Sequence, residues 1–309
     1  MRRRTLAAAF LLPVPALAQP FPRRPVRLIV PFPAGGPTDV IGRLLAERLS
    51  ARWGQPVIVD NRPGAGTVIG THALVQAAPD GHTLAIAISA LTINPALRTD
   101  MPFDTLRDVA PVTRLANTHI ALVANVPSGL TSLAQALDTA RSTPGGLAYA
   151  SPGNGTLTHM AGELLGRLSG APLVHVPYPG SGPALNDVLG GRVPLMFDVW
   201  HSIQPHVLAG TLRVLGTGSS TPVPGHPDLP RIAQTFPGFE ATSVFGLIAP
   251  GATPLELRQA IAAATAASLA EPAVAARLAE LGMQPMVAGP EEYAAFIVAD
   301  IARWREAIR

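Results

Sequence analysis

The chain has 309 residues, of which 48% are hydrophobic and 14% are charged, and it contains no cysteine. The lack of cysteine excludes disulfides, thiolate catalysis and cysteine-ligated metal sites. The 23 basic and 20 acidic residues give a formal net charge of +3. Outside positions 2–4 the basic residues form no cluster, so we expect no binding to nucleic acid.

The first 18 residues have the pattern of a secretory signal peptide. Three arginines at positions 2–4 form a basic start, residues 6–12 an apolar centre, and residues 16–18 a small-residue cleavage site. The apolar centre is too short to span a bilayer, so we expect cleavage after Ala18, with an uncleaved anchor as the alternative. Cleavage leaves 20 basic residues against 20 acidic ones. An exported chain without a lipid-anchoring cysteine favours the periplasm as its location.

Apolar runs alternate with helical patterns along the rest of the chain. The first set consists of strands at Val26–Val30, Val57–Asn61 and 84–89 and helices at 40–52 and 67–77. A second set has strands at 147–150, 173–176, 195–197 and 212–216 and helices at 132–142, 158–168, 184–189 and 202–209. Extended apolar segments at 109–124 and 244–250 separate the sets, and helices at 254–270, 272–281 and 291–308 end the chain.

This β/α alternation predicts two lobes, each with a mostly parallel sheet flanked by helices. The extended segments predict two crossings between them. Lobe 1 is then residues 19–117 plus 244–309, and lobe 2 is residues 118–243. Two crossings form a hinge, and the cleft between hinged lobes can close on a ligand.

The stretch 31–39 (PFPAGGPTD) links a predicted strand to a predicted helix. A helix start carries unpaired N–H groups and the positive end of the helix dipole, and glycines let an anion approach it. Asp39 caps the helix, contacts the ligand, or does both. Ser89 ends another strand, where ligands of such sheets bind. The candidate ligand-binding residues of this half are Phe32, Pro33, Ala34, Gly35, Gly36, Thr38, Asp39 and Ser89.

A second turn of the same kind follows the strand at 147–150. Its candidate ligand-binding residues are Ser151, Gly153, Asn154, Gly155, Thr156 and His159. The alternatives are an ordinary capped turn and, for the histidine, a local hydrogen bond on the helix face. Tyr178 and Asp198 lie near the carboxyl ends of two more strands, where ligand contact competes with rim packing for the tyrosine and hinge anchoring for the aspartate. We find no P-loop, GxSxG or HExxH motif, and we predict no catalytic residue, cofactor or metal.

Several unusual strings occur in order along nearly the whole mature chain: RPVRLIVPFPAGGPTD, VIVDNRPGAGTVIG, PDGHTL, ASPGNGTLTHMAGEL, VPYPGSGPAL and FGLIAPGATP. Together they resemble the Bug family of extracytoplasmic solute receptors, the substrate-binding proteins of tripartite tricarboxylate transporters. The resemblance implies a two-lobed, type II periplasmic-binding-protein (Venus-flytrap) fold of the α/β class. It also implies that two facing turns hold a carboxylate through backbone N–H groups and water, and these turns match residues 32–38 and 151–156.

The expected function is therefore that of a monomeric, non-enzymatic periplasmic receptor. It captures a small organic acid and delivers it to membrane transporter subunits. Two alternatives stay open from the sequence. The loaded receptor docks on a sensor kinase, or the chain is an exported hydrolase that uses Ser151 or Thr156.

Overall fold

The computed structural model describes residues 21–308, and the predicted signal peptide with its cleavage site after Ala18 lies outside the described residues. The strands are β1 (Val26–Val30), β2 (Val57–Asn61), β3 (Thr83–Ala87), β4 (Val109–Asn125), β5 (Leu147–Ser151), β6 (Leu173–Pro177), β7 (Leu195–Val199), β8 (Leu212–Thr217), β9 (Thr242–Pro250) and β10 (Met283–Ala288). The α-helices are α1 (Pro37–Trp53), α2 (Val68–Val75), α3 (Ala90–Leu97), α4 (Thr105–Asp108), α5 (Leu133–Ser142), α6 (Leu157–Ser169), α7 (Ser181–Leu189), α8 (Trp200–Leu208), α9 (Ile232–Thr235), α10 (Leu255–Leu269), α11 (Pro272–Glu280) and α12 (Pro290–Ile308).

The strands form two sheets that share the long strand β4. The first sheet has the order β2-β1-β3-β9-β4, with β10 also paired to β4, and it carries lobe 1. The second has the order β4-β7-β5-β6, with β8 also paired to β4, and it carries lobe 2. The expected parallel pairing occurs between β1 and its neighbours β2 and β3, and between β5 and its neighbours β6 and β7. The crossing strands add antiparallel pairs, so each sheet is mixed.

Strand β4 carries the chain from one lobe to the other. Residues 109–119 pair with β9, and from Ile120 onward β4 pairs with β7 and β8. The return crossing runs beside it, because the N–H of Gly218 donates to the Ile120 carbonyl and the N–H of Ala241 donates to the Gly218 carbonyl, both at 2.8 Å. The predicted boundaries at 117/118 and 243/244 fall inside β4 and β9, near the position where β4 changes partners.

Both faces of each sheet are covered. In lobe 1, Leu28 and Leu247 pack under α1 and α10, whereas the next residues along the strands, Ile29 and Ile248, pack under α2 and α12. This alternation follows from the period of two in a strand. Lobe 2 has a corresponding pair of cores on the two sides of β7.

Helix α12 docks as its apolar pattern predicts. Ile297, Ile301 and Trp304 are each 3% exposed. The two isoleucines belong to a core of lobe 1, but Trp304 belongs to a core of lobe 2, together with Ile93 of α3. The last helix therefore packs against both lobes.

Four elements were not predicted from the sequence: the four-residue helices α4 and α9, helix α3 and strand β10. Helix α3 contains Pro95, and its residues 90–94 are all buried, so it has no amphipathic period. Strand β10 has Pro285 in its interior and pairs through an irregular register, features that argue against a strand. Among the described helices, none combines the length and hydrophobicity needed to cross a membrane.

Candidate functional site

A cavity of about 200 Å³ lies between the lobes at the carboxyl ends of β1, β5, β6 and β7. This volume is below the roughly 300–1,000 Å³ of drug-sized ligand pockets, so a small guest fits it. Lobe 1 lines it with Phe32, Pro33, Ala34, Gly35, Gly36, Pro37, Thr38 and Ile88, and β9 adds Ser243 and Phe245. Lobe 2 contributes Pro152, Thr156, Leu157, Thr158, Gly180, Ser181, Gly182, Pro183, Asp198 and Val199.

The first turn is held in place by Asp39, which is 2% exposed. One carboxylate oxygen accepts from the N–H of Gly35 at 2.9 Å and from Nε of Arg43 at 2.7 Å, and the other accepts from Nδ2 of Asn61 at 2.8 Å. Burial alone would raise the pKa of Asp39, but these hydrogen bonds outweigh it and hold the pKa below its usual value. The N–H of Gly35 is therefore engaged inside the turn. The N–H groups of Gly36 and Thr38, at the start of α1, have no acceptor among residues 21–308.

The second turn is braced in a similar way by its own side chains. Thr156 caps α6 by accepting from the N–H of His159 at 3.3 Å, and its hydroxyl donates to the Gly153 carbonyl at 2.7 Å. The N–H of Gly155 donates to Nδ1 of His159 at 3.2 Å. The N–H groups of Leu157 and Thr158, in the first turn of α6, have no acceptor in the described part of the chain. These two groups lie beside the cavity.

Two further helices start at the same cavity. Helix α7 begins after Gly180 and helix α8 begins after Val199, and both of these residues line the cavity. Helices α1, α6, α7 and α8 thus place four N-termini around one space, whereas none of the described lining residues is Lys or Arg. Among the described lining residues, backbone N–H groups and helix dipoles are therefore what can attract an anion.

Among the described lining residues, Asp198 is the one with an ionisable side chain, and it is 1% exposed. Its Oδ1 accepts from the Ser181 hydroxyl at 3.0 Å and from the N–H of Val199 at 2.8 Å. Its Oδ2 is buried and has no hydrogen-bond partner among residues 21–308. Burial raises the pKa of Asp198 to about 6, although the hydrogen bonds from Val199 and Ser181, and the nearby Ser202 hydroxyl, act in the opposite direction.

The structure places the predicted site residues in two groups. Those that line the cavity are Phe32, Pro33, Ala34, Gly35, Gly36, Thr38, Thr156 and Asp198. Those that lie behind or beside it are Asp39, Ser89, Ser151, Gly153, Asn154, Gly155, His159 and Tyr178. Members of the second group hold the turns or connect elements.

Ser89 and Tyr178 illustrate these supporting contacts. The Ser89 hydroxyl accepts from the N–H of Val244 at 3.1 Å and joins α3 to β9. The Tyr178 hydroxyl donates to Asp187 of α7 at 2.8 Å, and the Tyr178 N–H donates to the Ser151 carbonyl at 3.0 Å. Each side chain therefore fixes an element that borders the cavity.

A histidine pair lies behind the second turn. The Ser151 hydroxyl and Nε2 of His175 are 2.6 Å apart, and the His175 ring stacks on His159 with 4.0 Å between centroids. Burial, with a smaller effect of His159, lowers the pKa of His175 to about 4. Ser151 is 0% exposed and is absent from the cavity lining. This serine–histidine pair therefore does not face the cavity.

Three glycines mark places where the two lobes touch around the cavity. A Cβ on Gly66 would overlap the Asn154 carbonyl oxygen, and a Cβ on Gly155 would overlap Oδ1 of Asn94. A Cβ on Gly180 would lie 3.1 Å from Cδ of Pro33. Glycine suits these positions because the opposite lobe comes too close for a Cβ, through the backbone of Asn154 and the side chains of Asn94 and Pro33.

Sequence reasoning missed the α7 contribution of Gly180, Ser181, Gly182 and Pro183, and also Leu157 and Thr158 in α6. The signal was present, because the segment PYPGSG repeats the order of strand, small-residue turn and helix seen in the other two turns. Ile88, Phe245 and Val199 carry no such signal. Within residues 21–308, no group of three or more His, Asp or Glu side chains lies close enough to hold a metal ion.

Comparisons with known proteins agree on one family. The model of the family described as "Tripartite tricarboxylate transporter family receptor" matches residues 41–309. A Pseudomonas sp. (strain P51) protein from the tcbD–tcbE intergenic region is 37% identical over 290 residues, which cover 93% of this chain and 86% of that protein. Protein BugT of Bordetella pertussis is 36% identical over 298 residues, covering 96% and 91% respectively.

Solved structures show the same two-lobed fold. An R. palustris protein solved with adipate superposes with a TM-score of 0.89 at 33% identity, covering 93% of this chain and 97% of that chain. MatC from Rhodopseudomonas palustris with bound malate superposes with a TM-score of 0.85 at 30% identity, covering 94% and 100%.

Proposed function

Because this chain belongs to the family of tripartite tricarboxylate transporter receptors, we propose that it is a periplasmic receptor that captures a small organic acid in the interlobe cavity and delivers it to a membrane transporter. The similarity to BugT confirms the resemblance to the Bug family that the sequence motifs indicated. The members of this fold solved with adipate and with malate support a carboxylic acid as the ligand class.

The observation that carries this proposal is the convergence of four helix N-termini on a cavity whose described lining residues include no Lys or Arg. An anion beside a helix N-terminus is stabilised by roughly 0.3–1 kcal/mol, and up to about 2 kcal/mol when partly buried. The free N–H groups of Gly36 and Thr38 belong to lobe 1, and those of Leu157 and Thr158 belong to lobe 2. A carboxylate bound by both sets stabilises the closed arrangement, since a ligand shifts a conformational equilibrium only through its differential affinity.

The rest of the proposal follows from this role. The chain is exported with cleavage after Ala18, acts as a monomer, and has its lobe boundaries near residues 117/118 and 243/244. It works by binding and closure, not by catalysis. The buried position of Ser151, away from the cavity, supports binding over hydrolysis.

The first experiment is a ligand screen with the mature chain, residues 19–309. Thermal shift and then calorimetry are measured over a panel of dicarboxylates, tricarboxylates, amino acids and aromatic acids. We expect at least one acid to raise the melting temperature in a concentration-dependent way. A panel without any stabilising acid contradicts the proposal.

A backbone variant then tests the N–H groups directly. Leu157→Pro removes the N–H at the first position of α6, where proline fits a helix and where the preceding Thr156 is extended (φ −81°, ψ 159°) as proline requires. Leu157→Ala is the matched control, because it removes the same side chain and keeps the N–H. We expect Leu157→Pro to bind the acid at least about 10-fold more weakly than Leu157→Ala, in line with about 1.5–3 kcal/mol for a hydrogen bond to a charged group. Equal affinities would mean that the acid does not use the start of α6.

A further inference from the structure

Asp198 gives the cavity a second kind of binding group. An acidic side chain is unexpected in a site built to hold an anion, because like charges repel across a desolvated space. Asp198 nevertheless lines the cavity and is 1% exposed. The carboxylate of Asp198 therefore needs a hydrogen-bond donor from the ligand, which the ligand's own carboxylate does not provide.

The hydrogen bonds of Asp198 leave one oxygen unused. Oδ1 accepts from Ser181 and Val199, whereas Oδ2 is buried without a partner among residues 21–308. A buried polar atom without a partner costs about 1–3 kcal/mol, more when it is charged. Asp198, a residue that lines the cavity, therefore carries an unsatisfied acceptor.

The charges around the four helix starts divide the cavity into two unlike parts. The carboxylate of Asp198 accepts from the first residue of α7 and from the residue before α8, so it offsets the positive potential of these two helices. Helix α6 has no acidic residue in its first turn, and the acid in the first turn of α1, Asp39, is ion-paired with Arg43 at 2.7 Å. The starts of α1 and α6 thus attract an anion, and the region of Asp198 attracts a hydrogen-bond donor.

We propose that Asp198 determines specificity by accepting a hydrogen bond from a hydroxyl or amine on the ligand, so that the preferred guest is a hydroxy acid or an amino acid. This inference rests on the proposed function, because it assumes that the guest's carboxylate binds at α1 and α6. A donor satisfies Oδ2. The second carboxylate of an unsubstituted diacid in the same place would meet the charge of Asp198 instead.

The test uses ligands that differ by one group. Calorimetry with the wild-type chain at pH 7.5 compares succinate, malate and aspartate, and then adipate, 2-hydroxyadipate and 2-aminoadipate. We expect the best donor-bearing acid to bind at least about 10-fold more tightly than its unsubstituted parent, a difference of about 1.4 kcal/mol. Tighter binding of the hydroxy acid identifies a hydroxyl as the donor, and tighter binding of the amino acid identifies an amine. Either preference supports the proposal.

Asp198→Asn tests the residue itself. The amide has nearly the shape of the carboxylate but only one acceptor oxygen and no charge, so the preference for donor-bearing acids should fall below about threefold. Asp138→Asn is the matched control, because that carboxylate pairs with Arg141 on α5 of the same lobe, is 74% exposed and does not line the cavity. The melting temperature without ligand reports whether each variant folds.

The outcomes separate this inference from the proposed function. If no acid binds the wild-type chain, the proposed function itself fails. If unsubstituted diacids bind as tightly as their substituted forms, or if Asp198→Asn keeps the full preference, the receptor role stands and the role of Asp198 is overturned. The ligand comparison on the wild-type chain decides the matter even if Asp198→Asn does not fold.

Discussion

Replacing Asp39 with asparagine tests whether this residue holds the first turn in shape. The side chain is buried and accepts hydrogen bonds from Gly35, Arg43 and Asn61. In Asp39→Asn, one of the three donors must face an amide NH2 and the remaining bonds lose their charge assistance. A hydrogen bond to a charged group contributes about 1.5–3 kcal/mol and a neutral one about 1 kcal/mol. The Arg43 side chain is 56% exposed, so its part is screened, and we expect a total loss of about 2–3 kcal/mol.

The assay is urea unfolding at pH 7, with the slope against urea checked to be unchanged. For a chain of this size, with an unfolding entropy of about 2.1 cal/mol/K per residue, a loss of about 2–3 kcal/mol corresponds to a fall in melting temperature of roughly 3–5 °C. Asp60→Asn is the control, because Asp60 lies next to Asn61 in β2 and pairs at 2.7 Å with Arg62, which is 45% exposed. Such exposed pairs contribute at most about 1 kcal/mol. An Asp39→Asn protein within about 0.5 kcal/mol of wild type would refute the bracing role.

The pH dependence supplies an independent check. The pKa of Asp39 is lower in the folded chain than its usual value, so the ionised form stabilises the fold. This contribution is fully present above the unfolded pKa of about 3.9 and is lost as the pH falls through the lower folded pKa. The stability difference between wild type and Asp39→Asn should therefore narrow below about pH 4. A difference that stays constant over this range would assign the effect to packing and not to charge.

Two further expectations concern the lobe contact and the buried histidine. Gly155→Ala should weaken ligand binding, measured by calorimetry, at least about 10-fold, because its Cβ would overlap Asn94 of the other lobe. The control Gly145→Ala is also at a positive φ but has nothing within 4 Å of its Cβ, so its affinity should be unchanged. Similar affinities for both variants would mean that the lobes need not meet at Gly155. His175, whose pKa burial lowers to about 4, is neutral in the fold, so the chain should lose stability as the pH falls from about 6.5 toward 4, where the unfolded state takes up the proton first. His175→Gln should flatten this part of the stability curve in urea titrations, and a curve as steep as that of wild type would contradict the expectation.

The sequence predicted most of the fold because its signals are local. The strands Val26–Val30 and Val57–Asn61 were predicted with the bounds that the structure has, since apolar β-branched runs are bordered there by proline and glycine. Helix α3 and strand β10 were not predicted because tertiary burial and strand pairing, and not local pattern, determine them.

The candidate site, like the fold, could be predicted from the sequence only in part. The two turns at 32–38 and 151–156 could be predicted, because a strand, small residues and a helix start are readable in sequence. The direction in which each N–H group points could not be predicted. That Gly35 donates inward to Asp39, while Gly36 does not, depends on a side chain four residues along and on Asn61 from the next strand. Which turn residue faces the ligand is thus set by contacts that the spacing of residues does not reveal.

Contacts between the lobes change the free energy of ligand binding without involving any ligand atom. Closing the lobes brings Gly155 of lobe 2 against Asn94 of lobe 1. Nδ2 of Asn94 donates to the Gly66 carbonyl of its own lobe at 2.9 Å, but Oδ1 is buried without a partner among residues 21–308. An unsatisfied buried acceptor costs about 1–3 kcal/mol. Separating the lobes removes this cost, because water then donates a hydrogen bond to Oδ1. The closed form therefore needs the ligand's contribution to offset this cost. A change at Asn94 that satisfies or removes this oxygen should tighten binding of every ligand by a similar factor, whereas a change at Asp198 should alter the preference among ligands.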